Sequence, residues 1–329
     1  MEKSLFFDST LYAYLLATLF YMIHSLSQKK FSGYLGAGLL VTGLICHTIF
    51  IIQRWSMAGY PPFSNSFETL VFFSWIIAVQ YLIAEFFFHL HFLGTCSSLL
   101  ALISLAYSTM FPSAVRPLMP ALQNNFWLTV HVILCFISYA SFALSFVAAL
   151  FYLVRKASWH QWLALFLISL LSVSLVGGIA LTYLYKTGIL NLQWNFGTVF
   201  QICFVFIILS CLVWFPLFAF VQNKTWSTAE EKIESFIYKS IALGFPFLAM
   251  GILSGSVWAN KAWGRYWGWD PKETWSLITW LIYAFYLHAR FVKGWKGTAL
   301  AWCAVVGFLG VLFTYFGVNY LLSGLHSYA

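Results

Sequence analysis

The sequence predicts an all-α, polytopic integral membrane protein, and three observations carry that expectation. Of its 329 residues, 62% are hydrophobic and only 8% are charged, against about a quarter charged in a water-soluble domain. The apolar residues fall into long runs near or above the roughly 20 residues that cross a bilayer as a helix. Most of the few charges stand in loops or at run ends, where water or headgroups can solvate them.

The first run, about 9–26, follows an acidic start with Glu2 and Asp8 and lacks a small-residue cleavage site. It reads as a retained span rather than a signal peptide. Further runs lie at about 34–53, 67–88, 93–111, 127–154, 160–185, 198–222, 236–258, 272–292 and 298–321. About ten transmembrane helices are therefore expected in a single membrane domain over 1–329. The run at 93–111 is the shortest, and the one at 160–185 contains Gly177-Gly178. The polar linker holding Lys224, Glu230, Glu231, Lys232, Glu234 and Lys239 is the only sizeable one.

If the ten spans alternate, ten Lys and Arg fall on one side, including Lys29, Lys30, Arg155, Arg290 and Lys296, and seven on the other, including Arg54, Lys261, Arg265 and Lys272. The richer side should be cytoplasmic. The net charge of +8 comes from small groups flanking the spans and forms no continuous stripe, which suits lipid headgroups and not nucleic acid. The six cysteines lie in or beside apolar runs without CxxC or CxxCH spacing. They read as packing residues, not as a disulfide framework.

The outward-facing side then carries the stretch WGRYWGWDPKETWSLITW at 263–280, with five tryptophans in eighteen residues. Asp270-Pro271-Lys272-Glu273 is a helix start, with Asp at the N-cap, Pro in the first turn and Glu three residues on. Asp270 thus has a structural job whatever else it does. Ser64-Asn65-Ser66-Phe67-Glu68 repeats the device on the same side. A membrane-interface belt spreads its aromatics over many helix ends, whereas Trp258, Trp263, Trp267, Trp269 and Trp275 concentrate on one segment, 258–275. Such a platform suits a large, flat, apolar ligand. Arg54, Lys261, Arg265 and Lys272 are candidates to meet acidic groups at its edge.

Histidine placement narrows the ligand. His131 lies about one turn inside the outer end of its helix, and His326 just beyond the outer end of the last. Two neutral imidazoles on either side of a flat ligand are an axial pair for haem iron. His288 stands eighteen residues after Asp270, about 27 Å along the same helix at 1.5 Å per residue, near the cytoplasmic end. Ionisable residues at that depth are functional candidates. His24, His89, His91 and His160 lie near water and need no special role, and His47 lies deeper in its helix.

Trp258-Ala259, Ala262-Trp263-Gly264-Arg265-Tyr266-Trp267-Gly268-Trp269-Asp270-Pro271-Lys272-Glu273-Thr274-Trp275 resembles the tryptophan-rich WWD signature of the CcsA/ResC family of cytochrome c biogenesis proteins (System II). Similar matches are Arg54-Trp55 with Gly59, Pro62, Ser64-Asn65 and Glu68, then Gly244-Phe245-Pro246-Phe247-Leu248, Tyr286-Leu287-His288, and Gly317-Val318-Asn319 with Gly324-Leu325-His326-Ser327-Tyr328. The resemblance implies that His131 and His326 match two outer histidines ligating haem b at the WWD loop, and that His288 matches an inner one. It also implies a CcsB/ResB-type partner supplying the second inner ligand, a thioredoxin-like thiol reductant, and apocytochrome c as acceptor. Residues 157–222 look like an inserted helix pair relative to the family's eight-helix pattern.

The expected function is haem transport to the outer face and its covalent attachment there to the CxxCH motif of apocytochrome c, by a cytochrome c synthetase complex. The membrane is the bacterial cytoplasmic one or, alternatively, the thylakoid. A haem-bearing quinol-oxidising subunit is the alternative function. It would need paired histidines on facing helices and would gain nothing from a tryptophan loop. A transporter of an anionic solute would place several charges at mid-membrane.

Overall fold

A computed structural model of the chain describes residues 4–88, 90–115, 117–118, 122–123, 125–156, 163 and 230–322. The chain divides into two compact units, Met1–Leu150 with Thr228–Ala329, and Phe151–Ser227. The expected helix pair at 157–222 lies, but for residue 163, outside the described residues.

Every regular element among the described residues is helical. They are α1 (Leu5–Ser27), α2 (Lys30–Ala58), α3 (Ser66–Phe88), α4 (Gly94–Ser108), α5 (Asn125–Lys156), α6 (Glu230–Trp263), α7 (Pro271–Phe291) and α8 (Thr298–Leu312). A π-helical turn, Phe313–Gly317, and one last turn, Val318–Leu321, continue α8. Each apolar run expected within these residues coincides with one helix. Six, α1, α2, α3, α5, α6 and α8 with its π turn, are long and apolar enough to cross a membrane. Helix α4 has 15 residues, fewer than the run at 93–111 suggests and short of a full crossing. These features define a helical, multi-pass membrane protein.

Small residues let the helices approach closely, as in membrane bundles where burial from water gives little driving force between spans. On α2, a Cβ at Gly43 would stand 2.6 Å from the Tyr14 ring and one at Gly36 3.1 Å from that of Tyr21, so α1 lays its tyrosines along a glycine stripe. Helix α5 docks on α3 through Gln80 Nε2, which donates to the Ile137 carbonyl at 2.9 Å. It meets α7 by stacking Phe142 on Tyr283, with centroids 3.6 Å apart.

The two ends of this unit differ in chemistry. At the end where α3 turns into α4, Glu85 is buried and accepts from Tyr21 Oη and from His91 Nδ1, each at 2.5 Å. His24 points its Nδ1 at the Lys29 carbonyl, 2.8 Å away, and its ring lies edge-on to His91. The hydrogen bond to Glu85 raises the His91 pKa, burial offsets part of that, and the Glu85 charge adds to the rise, for a net upward shift. His47 is buried midway in α2, with Nδ1 3.2 Å from Tyr14 Oη. The other end holds the tryptophan-rich stretch.

Candidate functional site: an aromatic cavity at the tryptophan loop

Helix α6 runs on through Trp263 because nothing breaks it before Gly264, which caps it with φ +74° while its N–H bonds the Asn260 carbonyl at 2.9 Å; glycine takes that left-handed position without a Cβ clash. Trp258 and Trp263 are therefore helical, as is Trp275, and the connecting loop is 264–270 rather than 258–275. Its exit is rigid. Asp270 accepts from Lys272 N at 3.0 Å and Glu273 Oε2 from Asp270 N at 3.2 Å, completing the expected capping box, and Glu273 also takes Gly268 N at 2.8 Å. Trp269 stands at φ +57°, a conformation that costs a bulky residue energy, and its side chain is 69% exposed.

The loop covers a cavity of about 180 Å³ that opens at its mouth. Its walls come from α5, α6, the start of α7, the π turn and the loop before α3. On α5, His131, Cys135 and Tyr139 line it at intervals of one helical turn. His131 Nδ1 lies 2.7 Å from the Gly251 carbonyl. A carbonyl can only accept, so Nδ1 carries the proton and, in the neutral ring, Nε2 is the basic nitrogen. Fixing one ring nitrogen on a carbonyl is how proteins orient a histidine that ligates a metal. No side chain fits at Gly255, where a Cβ would stand 2.6 Å from that Nδ1.

Trp258, 2% exposed, lies parallel to His131 within 10°, centroids 6.2 Å apart, and Trp263 meets it edge-on at 4.8 Å. Trp267 lines the cavity, and Trp269 stands edge-on to it at 5.7 Å without lining it. Trp275 packs on Phe313 of the π turn at 4.1 Å. That turn brings Thr314 and Tyr315 to the wall, and Tyr315 Oη lies 2.6 Å from Thr69 Oγ1.

Of the expected site residues, the cavity wall thus unites His131, Trp258, Trp267 and Lys272. Asp270 is buried as the cap, and Arg265 is exposed in the loop. Arg54, 1% exposed, is held inside the protein by Glu68, with Nε–Oε1 2.8 Å, and by the Ser113 carbonyl at 2.9 Å. Its role is to lock the loop whose Phe63 to Ser66 line the cavity. Asn65 caps α3 as expected, but Glu68 Oε2 closes on Ser64 N at 2.8 Å, one residue early, because Oε1 is committed to Arg54. His326 lies outside the described residues. His288 is exposed on α7. Leu281, Phe285 and Val292 are exposed along with it. Tyr139, Tyr315 and Cys135 were not expected on the wall, and Asn319 was expected only as part of the family resemblance. The i, i+4, i+8 spacing of Cys135 and Tyr139 from His131 was the available signal.

A multi-pass helical membrane protein with an aromatic, histidine-walled cavity is the class these features define. The chain belongs to the cytochrome c assembly protein family, whose model matches residues 63–326. It is similar to the cytochrome c biogenesis protein CcsA of Synechocystis sp., 35% identical over 98% of this chain and 96% of that one. The CcsA proteins of Guillardia theta, 34% identical over 90% and 85%, and Marchantia polymorpha, 37% over 85% and 82%, are similar too.

Proposed function

We propose that the chain carries haem b to the tryptophan-loop end and holds it there for covalent attachment to apocytochrome c. Family membership gives it a part in cytochrome c maturation. The observation that carries the finer reading is His131, whose Nε2 is the basic nitrogen on the wall of an aromatic cavity. The residues present fit haem by their chemistry: a neutral imidazole for the iron and indole faces of Trp258 and Trp267 for the ring. His326 is the expected second ligand.

Haem enters this chemistry as the substrate. Each CxxCH thiol adds across a vinyl group, so an S–H bond breaks, a C–S bond forms and the proton ends on the neighbouring carbon, with no net redox change. His131 and His326 would fill the axial positions and limit reaction with oxygen. Trp258 and Trp267 would fix which edge faces the acceptor, a contribution of proximity and orientation. A thioredoxin-like reductant would keep the thiols available.

At the other end of α7, His288 would receive haem first. Its exposure with Leu281, Phe285 and Val292 supports a second ligand from a CcsB/ResB-type membrane partner packed there. About ten spans, including a pair within 157–222, would keep the tryptophan loop facing outward from a bacterial cytoplasmic or a thylakoid membrane, with basic residues on lipid headgroups. Co-expression with such a partner and an apocytochrome tests the reading. Covalently bound haem is expected, and its absence with all parts present rejects it.

A further inference from the structure

Lys272 has a placement that helix stability does not explain. It stands in the first turn of α7, where the helix dipole disfavours a cation, and it is half-buried on the cavity wall. Its Nζ donates to a neutral acceptor, Asn319 Oδ1, at 2.9 Å. The nearest carboxylates are engaged by backbone: Asp270 Oδ1 accepts Lys272's own N–H, and Glu273 Oε2 accepts Gly268 N and Asp270 N. Asp270 acts on the ammonium through space, but both ion pairs among the described residues, Arg54–Glu68 and His91–Glu85, lie elsewhere. A partly desolvated ammonium facing an aromatic cavity calls for an anion to complete it.

We propose that Lys272, oriented by Asn319, is the anchor for a carboxylate of the planar ligand, so that the cavity selects a tetrapyrrole by its acid side chain as well as by its flat face. This rests on the haem reading and deepens it. With one propionate on Lys272, the macrocycle is pinned in-plane, and its remaining edge is fixed relative to His131.

Metal-free protoporphyrin IX and its dimethyl ester separate the charge from iron ligation. Binding to the full chain in detergent is followed by quenching of tryptophan fluorescence, with empty micelles as reference. The diacid is expected to bind about tenfold more tightly than the ester, as for one charge-assisted hydrogen bond. Lys272→Met should lower affinity for the diacid to that for the ester and leave ester binding unchanged, while Lys272→Arg keeps the preference. Circular dichroism and Tm establish that each variant is folded. Equal affinities for diacid and ester in the unaltered protein, or equal weakening of both in Lys272→Met, would overturn the anchor and leave the haem reading standing. Failure of both porphyrins to bind the unaltered protein overturns the haem reading and the anchor together.

Discussion

His131 and His288 are the same residue in opposite settings. One is held by the Gly251 carbonyl on the wall of an internal cavity, parallel to a buried indole. The other projects from α7 among exposed apolar side chains, and no hydrogen bond fixes its ring among the described residues. A site that one chain completes can pre-orient its ligand. A site shared with a partner leaves that ligand on the surface, to be ordered on assembly. The difference teaches that the two candidate haem positions should respond differently to the same kind of change.

The largest expected effect separates them in function. His131→Ala should reduce holocytochrome yield by about a hundredfold or more, a loss on the scale of about 3 kcal/mol, and added imidazole should enter the space left and partly restore low-spin haem at the outer site. His288→Ala should leave the complex with little haem anywhere if the sites act in series. Normal loading in that variant would refute the series and leave the outer site standing. Because His288 is exposed, the substitution should leave Tm of the isolated chain unchanged.

Next in size is Gly255→Ala, which sets a methyl 2.6 Å from His131 Nδ1. It should cost about 1–3 kcal/mol of stability through overpacking and disturb the outer haem spectrum, whereas Gly38→Ala, with nothing within 4 Å of its Cβ, should do neither. A normal spectrum in Gly255→Ala would show that the Gly251 carbonyl is not what orients the ring.

Asp270→Ala should lose about 1 kcal/mol through the helix cap, and Asp270→Asn, still able to cap, much less. Equal loss of activity in both would mean that the carboxylate does more than cap α7. Trp269→Gly should relieve the left-handed strain and hold or raise stability by up to about 1 kcal/mol, yet still reduce haem at the outer site. A clear fall in Tm would instead show that packing holds Trp269 in place.

The smallest effect belongs to the far end. The His91 pKa is raised by Glu85, so the pair's contribution is complete below the unfolded value of about 6.5 and fades as pH rises through the folded one. Tyr21, His24 and Tyr34 face the same pair. Tm should fall modestly with pH above that point, and His91→Ala should flatten the profile. An unchanged slope would remove His91 as its source.

Much of this was legible along the chain. Runs of apolar residues mark helices because backbone groups in hydrocarbon must bond within their own segment, and the cap at Asp270 is local chemistry that needs no tertiary partner. The end of α6 was not legible, since nothing in the aromatic stretch signals that Trp258 and Trp263 remain helical until Gly264 stops them. Nor was the fate of Arg54, whose partner Glu68 and acceptor Ser113 come together only when the outer loops pack.

The sequence by itself determined the helical membrane class, the crowding of tryptophan on one segment, and the family, because composition, spacing and a long motif are properties of neighbours in the chain. Only the tertiary structure decided which members of that crowd share a cavity. His131 is tied to Gly251, 120 residues away, Lys272 to Asn319, and Thr69 to Tyr315. Such contacts depend on how glycine-faced helices close on one another and where a π turn rotates its side chains, and that geometry is set by packing between segments that no local pattern encodes.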